Sequence, residues 1–194
     1  ARFKLIQFYI IHRAYLTPEK INRYFRRADA ACPRCQVLDV DLLHMLWHCP
    51  EIERFWREVT AKLTICTGIP VAHTWEVGLL GLMHRDKEHK ATSRFTDLGL
   101  LIGKRLITKR WKSPTPPITD MWKVSMINWA QAESTALHKE ETKNMRKYPI
   151  AEQWDIMLST LKGNAAVEIQ EAVEVSEHSV GSNSPRNDIG LNRR

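Results

Sequence analysis

Ala31-Cys32-Pro33-Arg34-Cys35-Gln36-Val37-Leu38-Asp39-Val40-Asp41-Leu42-Leu43-His44-Met45-Leu46-Trp47-His48-Cys49-Pro50 concentrates most of the ligating chemistry of this chain. Cys32 and Cys35 are separated by two residues; eight more lead to His44, and four more to Cys49. Two cysteines so spaced present both thiolates to one ion from a tight turn, and zinc accepts four sulfur and nitrogen donors tetrahedrally. His44 and Cys49 stand about 140° apart around an ideal helix, so a straight helix would not aim both at one point. Pro50 resolves this, because the residue before a proline is pushed out of the helical region and Cys49 can turn back toward His44. His48 competes as fourth ligand from the same helix face as His44. Its spacing suits two-Cys two-His fingers, but their Cys-to-His interval of about 12 residues is longer than the one here. Cys49 is therefore preferred over His48, against the plain alternative of a buried cysteine cluster with incidental histidines. Four protein ligands leave zinc no open position, which predicts a structural ion.

Working outward, 3–16 is apolar with Lys4, His12 and Arg13 interleaved and reads as a buried helix. Thr17-Pro18-Glu19 is a helix start: a capping hydroxyl, proline at the first position, then an acid. Ile21, Tyr24 and Phe25 give that helix an apolar face, with Arg23, Arg26 and Arg27 on its other sides. Asp39 or Asp41 can cap a short helix through Leu42, Leu43, Leu46 and Trp47. Pro50 opens the next, whose Ile52, Phe55, Trp56, Val59 and Leu63 repeat at amphipathic spacing until Gly68 and Pro70 close it. Cys66 lies too far along this helix to join the ligands and reads as a core cysteine. Val77–Met83 fits a strand or a helical turn equally. A long helix is predicted from Thr92 to Trp111, with Leu98, Leu101, Ile102, Leu106 and Ile107 inward. Ser113-Pro114-Thr115-Pro116-Pro117 breaks the chain. Helices are then expected at Thr119–His138, Glu140–Lys147 and Ile150–Leu161, and beyond Gly163 the polar tail predicts disorder. The expected organisation is mainly α: a basic zinc-stapled helical segment at 1–72, a helical segment at 73–162 and a disordered tail at 163–194.

The chain has 194 residues, and its seven tryptophans and 43% hydrophobic content suffice for a core. Its net charge of +7 is uneven. Residues 1–162 hold 26 basic and 17 acidic residues, against 3 and 5 in 163–194. A basic folded part favours a polyanionic partner without specifying one. The apolar run Phe8–Ile11 is too short for a membrane span or a secretory core, so no membrane partner is expected. Without a secretory signal the cysteines read as metal ligands rather than disulfides. The start at Ala1-Arg2-Phe3, with no initiator Met, suggests a piece of something longer.

Thr17-Pro18-Glu19-Lys20, Cys32-Pro33-Arg34-Cys35, Leu43-His44, Trp47-His48-Cys49-Pro50 and Phe55-Trp56, in this order, resemble the C-terminal region of LINE-type (non-LTR) retrotransposon polyproteins. That family places a Cys-Cys-His-Cys zinc segment after its reverse transcriptase. A looser likeness runs through Lys109-Arg110-Trp111-Lys112, Pro116-Pro117 and Trp122 to Trp154, so that it covers roughly 1–162. The resemblance implies zinc held by Cys32, Cys35, His44 and Cys49. It also implies RNA or single-stranded DNA and the rest of the parent reverse transcriptase as partners, in support of target-primed reverse transcription. An intracellular setting, cytoplasm and nucleus, goes with it. The family's polymerase Asp-Asp motif is missing, since the close pair Asp39 and Asp41 falls inside the zinc segment, and no endonuclease segment is present.

The residues argue for nucleic acid independently. Arg2, Lys4, Arg13, Lys20, Arg23, Arg26, Arg27 and Arg34 outweigh Glu19 and Asp29 in the first 35 residues. A second cluster, Lys104, Arg105, Lys109, Arg110 and Lys112, ends the long helix. Such clusters give salt-sensitive, sequence-tolerant binding through counterion release. Tyr24, Trp47 and Trp111 could stack unpaired bases, although a core role is the better reading for Trp47, Trp56, Trp122 and Trp154. The alternative for the charges is a solvated face. No catalytic constellation stands out: His84 and His89 near Asp86 and Glu88 fit a polar loop, no Gly-rich phosphate loop occurs, and no small-molecule substrate is implied. The chain by itself reads as a non-enzyme.

Overall fold

The computed structural model describes residues 2–26, 30–83, 89–144 and 150–163. The chain divides into a unit Ala1–Leu161 and a unit Lys162–Arg194; the second holds only two described residues, 162 and 163. The expected tail disorder, Arg27, and His84, Asp86 and Glu88 lie outside the described residues.

The first unit is helical, as its apolar periodicity predicts. Its elements are α1 (Arg2–Ile11), α2 (Pro18–Phe25), a π turn (His44–His48), α3 (Pro50–Thr67), a second π turn (Glu76–Leu80), α4 (Lys90–Lys109) and α5 (Thr119–Asn144). A further helical run occupies 150–163. Among the described residues the only strand-like pairing is the isolated antiparallel bridge Ala31–Leu38.

Local chemistry sets most boundaries. Thr17 caps α2 by accepting from the Lys20 N–H, with Pro18 at the first position. Pro50 opens α3, Glu51 and Glu53 occupy its first turn, and Gly68 ends it at φ 68°, where a left-handed residue closes a helix most cheaply as glycine. α1 is shorter than its apolar run suggests: Arg13 is left-handed (φ 49°) and the Ala14 N–H reaches back to the Tyr9 carbonyl. α5 is continuous through His138-Lys139-Glu140, where two helices were expected; no proline, glycine or capping residue interrupts that stretch. Val77–Met83, undecided in sequence, resolves into the second π turn and the three residues after it.

α4 packs against α3, α5 and α1, which places one core across both sides of the 72/73 boundary. Ile52, Phe55, Trp56, Val59 and Leu63 of α3 are all buried as their spacing predicts. On α4 the buried residues are Ala91, Phe95, Thr96, Gly99, Leu100, Ile102, Gly103, Lys104 and Ile107; Leu98, Leu101 and Leu106 are only half-buried. Gly103 lets α4 approach the Trp56 ring so closely that a Cβ there would lie 2.7 Å from it. Trp122 donates to the Gly99 carbonyl at 2.8 Å and Trp154 to that of Ala130 at 3.0 Å. Both of these buried indole N–H groups thus have partners, as burial requires.

Lys104 occupies the core beside these rings, 3% exposed, donating to Gln7 Oε1 at 2.7 Å and to the Leu79 carbonyl at 3.1 Å. Burial pulls its pKa down to about 8, with Asp97 acting the other way. The unfolded chain therefore holds this proton more firmly, so stability rises as pH climbs from about 8 toward the ordinary 10.5. That window is worth about 3 kcal/mol. Urea unfolding at pH 7.5 and pH 10, run beside Lys104→Met, should give wild type the larger gain; parallel changes in the two proteins would assign the pH dependence elsewhere.

Candidate metal centre

The four sulfur and nitrogen donors picked out by spacing come together. One donor atom each from Cys32, Cys35, His44 and Cys49 lies within 4.8 Å of all the others, close enough for one metal ion. Cys35 Sγ is 3.2 Å from His44 Nε2 and Cys32 Sγ is 3.9 Å from Cys49 Sγ. All four cysteines of the chain are free thiols. His48 is exposed and outside the cluster, whereas Cys49 is fully buried. Cys66 is also apart from it, buried in α3, and burial pushes its thiol up to about 11.

A tight hairpin presents the first two ligands. The Cys32 N–H donates to the Val37 carbonyl, the Gln36 N–H to that of Cys32, and the Asp39 N–H to that of Ala30. Gln36 and Asp39 take left-handed angles, φ 62° and 53°, that bend the chain back. Asp41 then caps the first π turn, accepting from the His44 N–H at 2.8 Å.

Two devices bring His44 and Cys49 together. Cys49 is extended (φ −60°, ψ 127°), as a residue before proline should be. In addition, its N–H bonds to the His44 carbonyl at 2.9 Å. This five-residue π closure stacks residue i+5 over residue i, which an α-helix does not do. The proline effect is legible in sequence; the π turn carries no comparable signal.

Cys32, His44 and Cys49 differ in how readily they take the ligating form. Burial raises the Cys49 thiol to about 12, and the nearby Cys32 sulfur adds to that, while the N–H groups of Glu51 and Ile52 at the start of α3 oppose it. Burial also acts to raise Cys32, but the N–H groups of Cys35 and Arg34, with the neighbouring thiols, outweigh it and hold Cys32 below the usual range. Burial lowers His44, with Asp41 opposing it; the neutral imidazole is the form that donates a lone pair to a metal.

The expected nucleic-acid contacts divide. Arg34 is a clamp within the fold: it donates to the Met45 carbonyl at 3.2 Å and to that of Arg110 at 3.1 Å, joining the Cys32–Cys35 turn to the π turn and the end of α4. Lys104 is in the core. Neither presents a cation to a phosphate: two Arg34 nitrogens meet backbone carbonyls, and Lys104 meets a carbonyl and the Gln7 side chain, uses that composition cannot reveal. Arg23 is exposed and paired with Glu19 at 2.5 Å. Arg26, Lys109 and Lys112 are exposed. Arg105 lies over the Trp129 ring at 5.8 Å, and Arg110 is half-buried with a nitrogen 3.3 Å from Met121 Sδ.

The aromatics divide as well. Trp47 stacks on Trp56 inside the core, and Trp111 stacks on Tyr15 while donating to the Leu16 carbonyl. Tyr24 and Phe25, expected to supply an apolar face, both turn to solvent. Among the described residues no helix is long and apolar enough to cross a membrane. Compared with known proteins, the chain matches no family model and no solved structure.

Proposed function

We propose that Cys32, Cys35, His44 and Cys49 hold one structural zinc ion, and that the chain is a nucleic-acid-binding C-terminal module of a non-LTR retrotransposon reverse transcriptase. The convergence of these four donors carries the reading. Around an ion with bonds of about 2.3 Å to sulfur and 2.0 Å to nitrogen, tetrahedral donors stand roughly 3.5–3.8 Å apart, close to the 3.9 Å and 3.2 Å separations of the two pairs. Four protein ligands fill zinc's coordination, so the ion would staple the hairpin and π turn to the start of α3 and catalyse nothing.

Nucleic-acid binding is supported by the excess positive charge of 1–162 and by the exposed Arg23, Arg26, Lys109 and Lys112. RNA or single-stranded DNA would be the ligand and the rest of the reverse transcriptase the protein partner, within cytoplasm and nucleus. A membrane, a small-molecule substrate and a reaction of its own have no part in this proposal. A labelled RNA titrated at 50 and at 200 mM salt tests it. Neutralising three to five phosphates of a single strand should weaken affinity roughly 20- to 130-fold across that range. Absence of binding at 50 mM would reject it.

One observation favours a second reading, a packing module with no nucleic-acid contact. α1 leaves Leu5, Phe8 and Ile11 about half exposed, and a helix apolar on its outer side is usually covered by protein. The salt titration separates the two readings.

A further inference from the structure

The end of α2 is the least explained surface of the fold. Tyr24 and Phe25 are consecutive, and each is 63% exposed. Phenylalanine has no polar atom to hydrate, so two adjacent exposed rings call for a partner. α2 stops at Phe25, and Arg26 turns left-handed immediately after it (φ 52°). The metal hairpin adjoins this helix through Asn22 Nδ2, which donates to Asp39 Oδ1 at 3.0 Å, and through the Glu19 N–H, which donates to the Val40 carbonyl at 3.1 Å. On that hairpin Val37 and Leu38 are also more than half exposed.

Two arginines adjoin the rings in sequence, beside the carboxylates of Glu19 on α2 and Asp39 on the hairpin. Arg23 precedes them and Arg26 follows; the one carboxylate on α2, Glu19, is already paired with Arg23. We infer that Tyr24 and Phe25, flanked by Arg23 and Arg26, form a stacking platform for unpaired bases, so that the chain takes single strands in preference to duplex. This rests on the nucleic-acid reading above and specifies the form of nucleic acid. The chemistry is direct: rings accept base faces, guanidinium groups accept the phosphates between them, and such stacking tolerates any sequence. In a duplex each base face is covered by its neighbours, leaving only the phosphates to hold. The groove lined by Leu106, Lys109, Arg110, Asp120, Met121 and Val124 is the rival basic surface, but it offers no aromatic ring. The nearby Trp129 ring already carries Arg105.

The test uses the full chain and fluorescence anisotropy with a fluorescein-labelled uridine-rich RNA of about 20 nucleotides, beside a duplex of the same length. Wild type should bind the single strand more tightly. Removing each ring, Tyr24→Ala or Phe25→Ala, should weaken single-strand binding by about 5- to 150-fold. Duplex affinity, metal content and far-UV circular dichroism should stay as they were, and Tyr24→Trp should retain binding. Undiminished single-strand affinity in the double alanine variant would overturn the platform while leaving the nucleic-acid reading intact. Equal losses for single strand and duplex would overturn it too. A wild type that binds neither strand would remove the nucleic-acid reading and the platform together. If that protein instead self-associated through these two rings, the face would be a protein contact.

Discussion

Cys32→Ser, or removal of the ion by a strong chelator, should unfold the hairpin and π-turn segment at 30–49 and loosen the start of α3. Cys32 and Cys49 are fully buried, and apart from the Arg34 clamp and the buried Val40, Met45, Leu46 and Trp47 the segment has little regular structure of its own. It has one isolated bridge, a few backbone bonds in the turn and a single π turn, none of which is stable alone in water. Structural zinc contributes on the order of 10 kcal/mol, comparable with the whole stability of an ordinary domain. Mass spectrometry of the native protein should find one zinc per chain, lost in Cys32→Ser and Cys49→Ala and kept in His48→Ala. Thermal unfolding with and without chelator gives the energetic side. A metal-free protein with the same circular dichroism and midpoint would reduce the centre to a cysteine cluster.

Trp56→Ala should cost about 3–5 kcal/mol, the range for truncating a large buried aromatic, and urea unfolding measures it directly. The indole does three things at once. It stacks on Trp47 at 5.3 Å, donates to the Leu46 carbonyl at 2.8 Å, and fills the space left by Gly103 on α4. It therefore ties the metal segment to the long helices. Trp56→Phe keeps most of the ring contact but orphans the Leu46 carbonyl, so a smaller loss of about 1–3 kcal/mol is expected. A Trp56→Ala protein within about 1 kcal/mol of wild type would contradict this packing.

The sequence reading went furthest where the determinant was local. Thr17-Pro18 and Pro50 mark helix starts because their effect lies in their own φ and in bonds to the next turn. The α3 core face follows from spacing alone. The convergence of the four donors was legible for a related reason: a two-residue gap, a histidine and a cysteine before proline constrain one another within 18 positions, 32–49. Between His48 and Cys49, the short Cys-to-His interval and the proline after Cys49 favour Cys49.

Where a side chain's use depends on distant backbone, the sequence was silent. Arg34 and Lys104 resemble any other cations in a basic chain, yet they meet carbonyls 76 and 25 positions away. Phe25 reads as core by type, yet it lies 63% exposed. The π turn under His44 has no propensity signature, since i→i+5 closure is favoured only when packing and ligation demand it. Composition, spacing and proline chemistry by themselves thus determined a helical fold and four candidate ligands. Which cations remain exposed, which rings face water and how His44 meets Cys49 were decided by the tertiary structure, because each depends on a contact formed only after the helices pack.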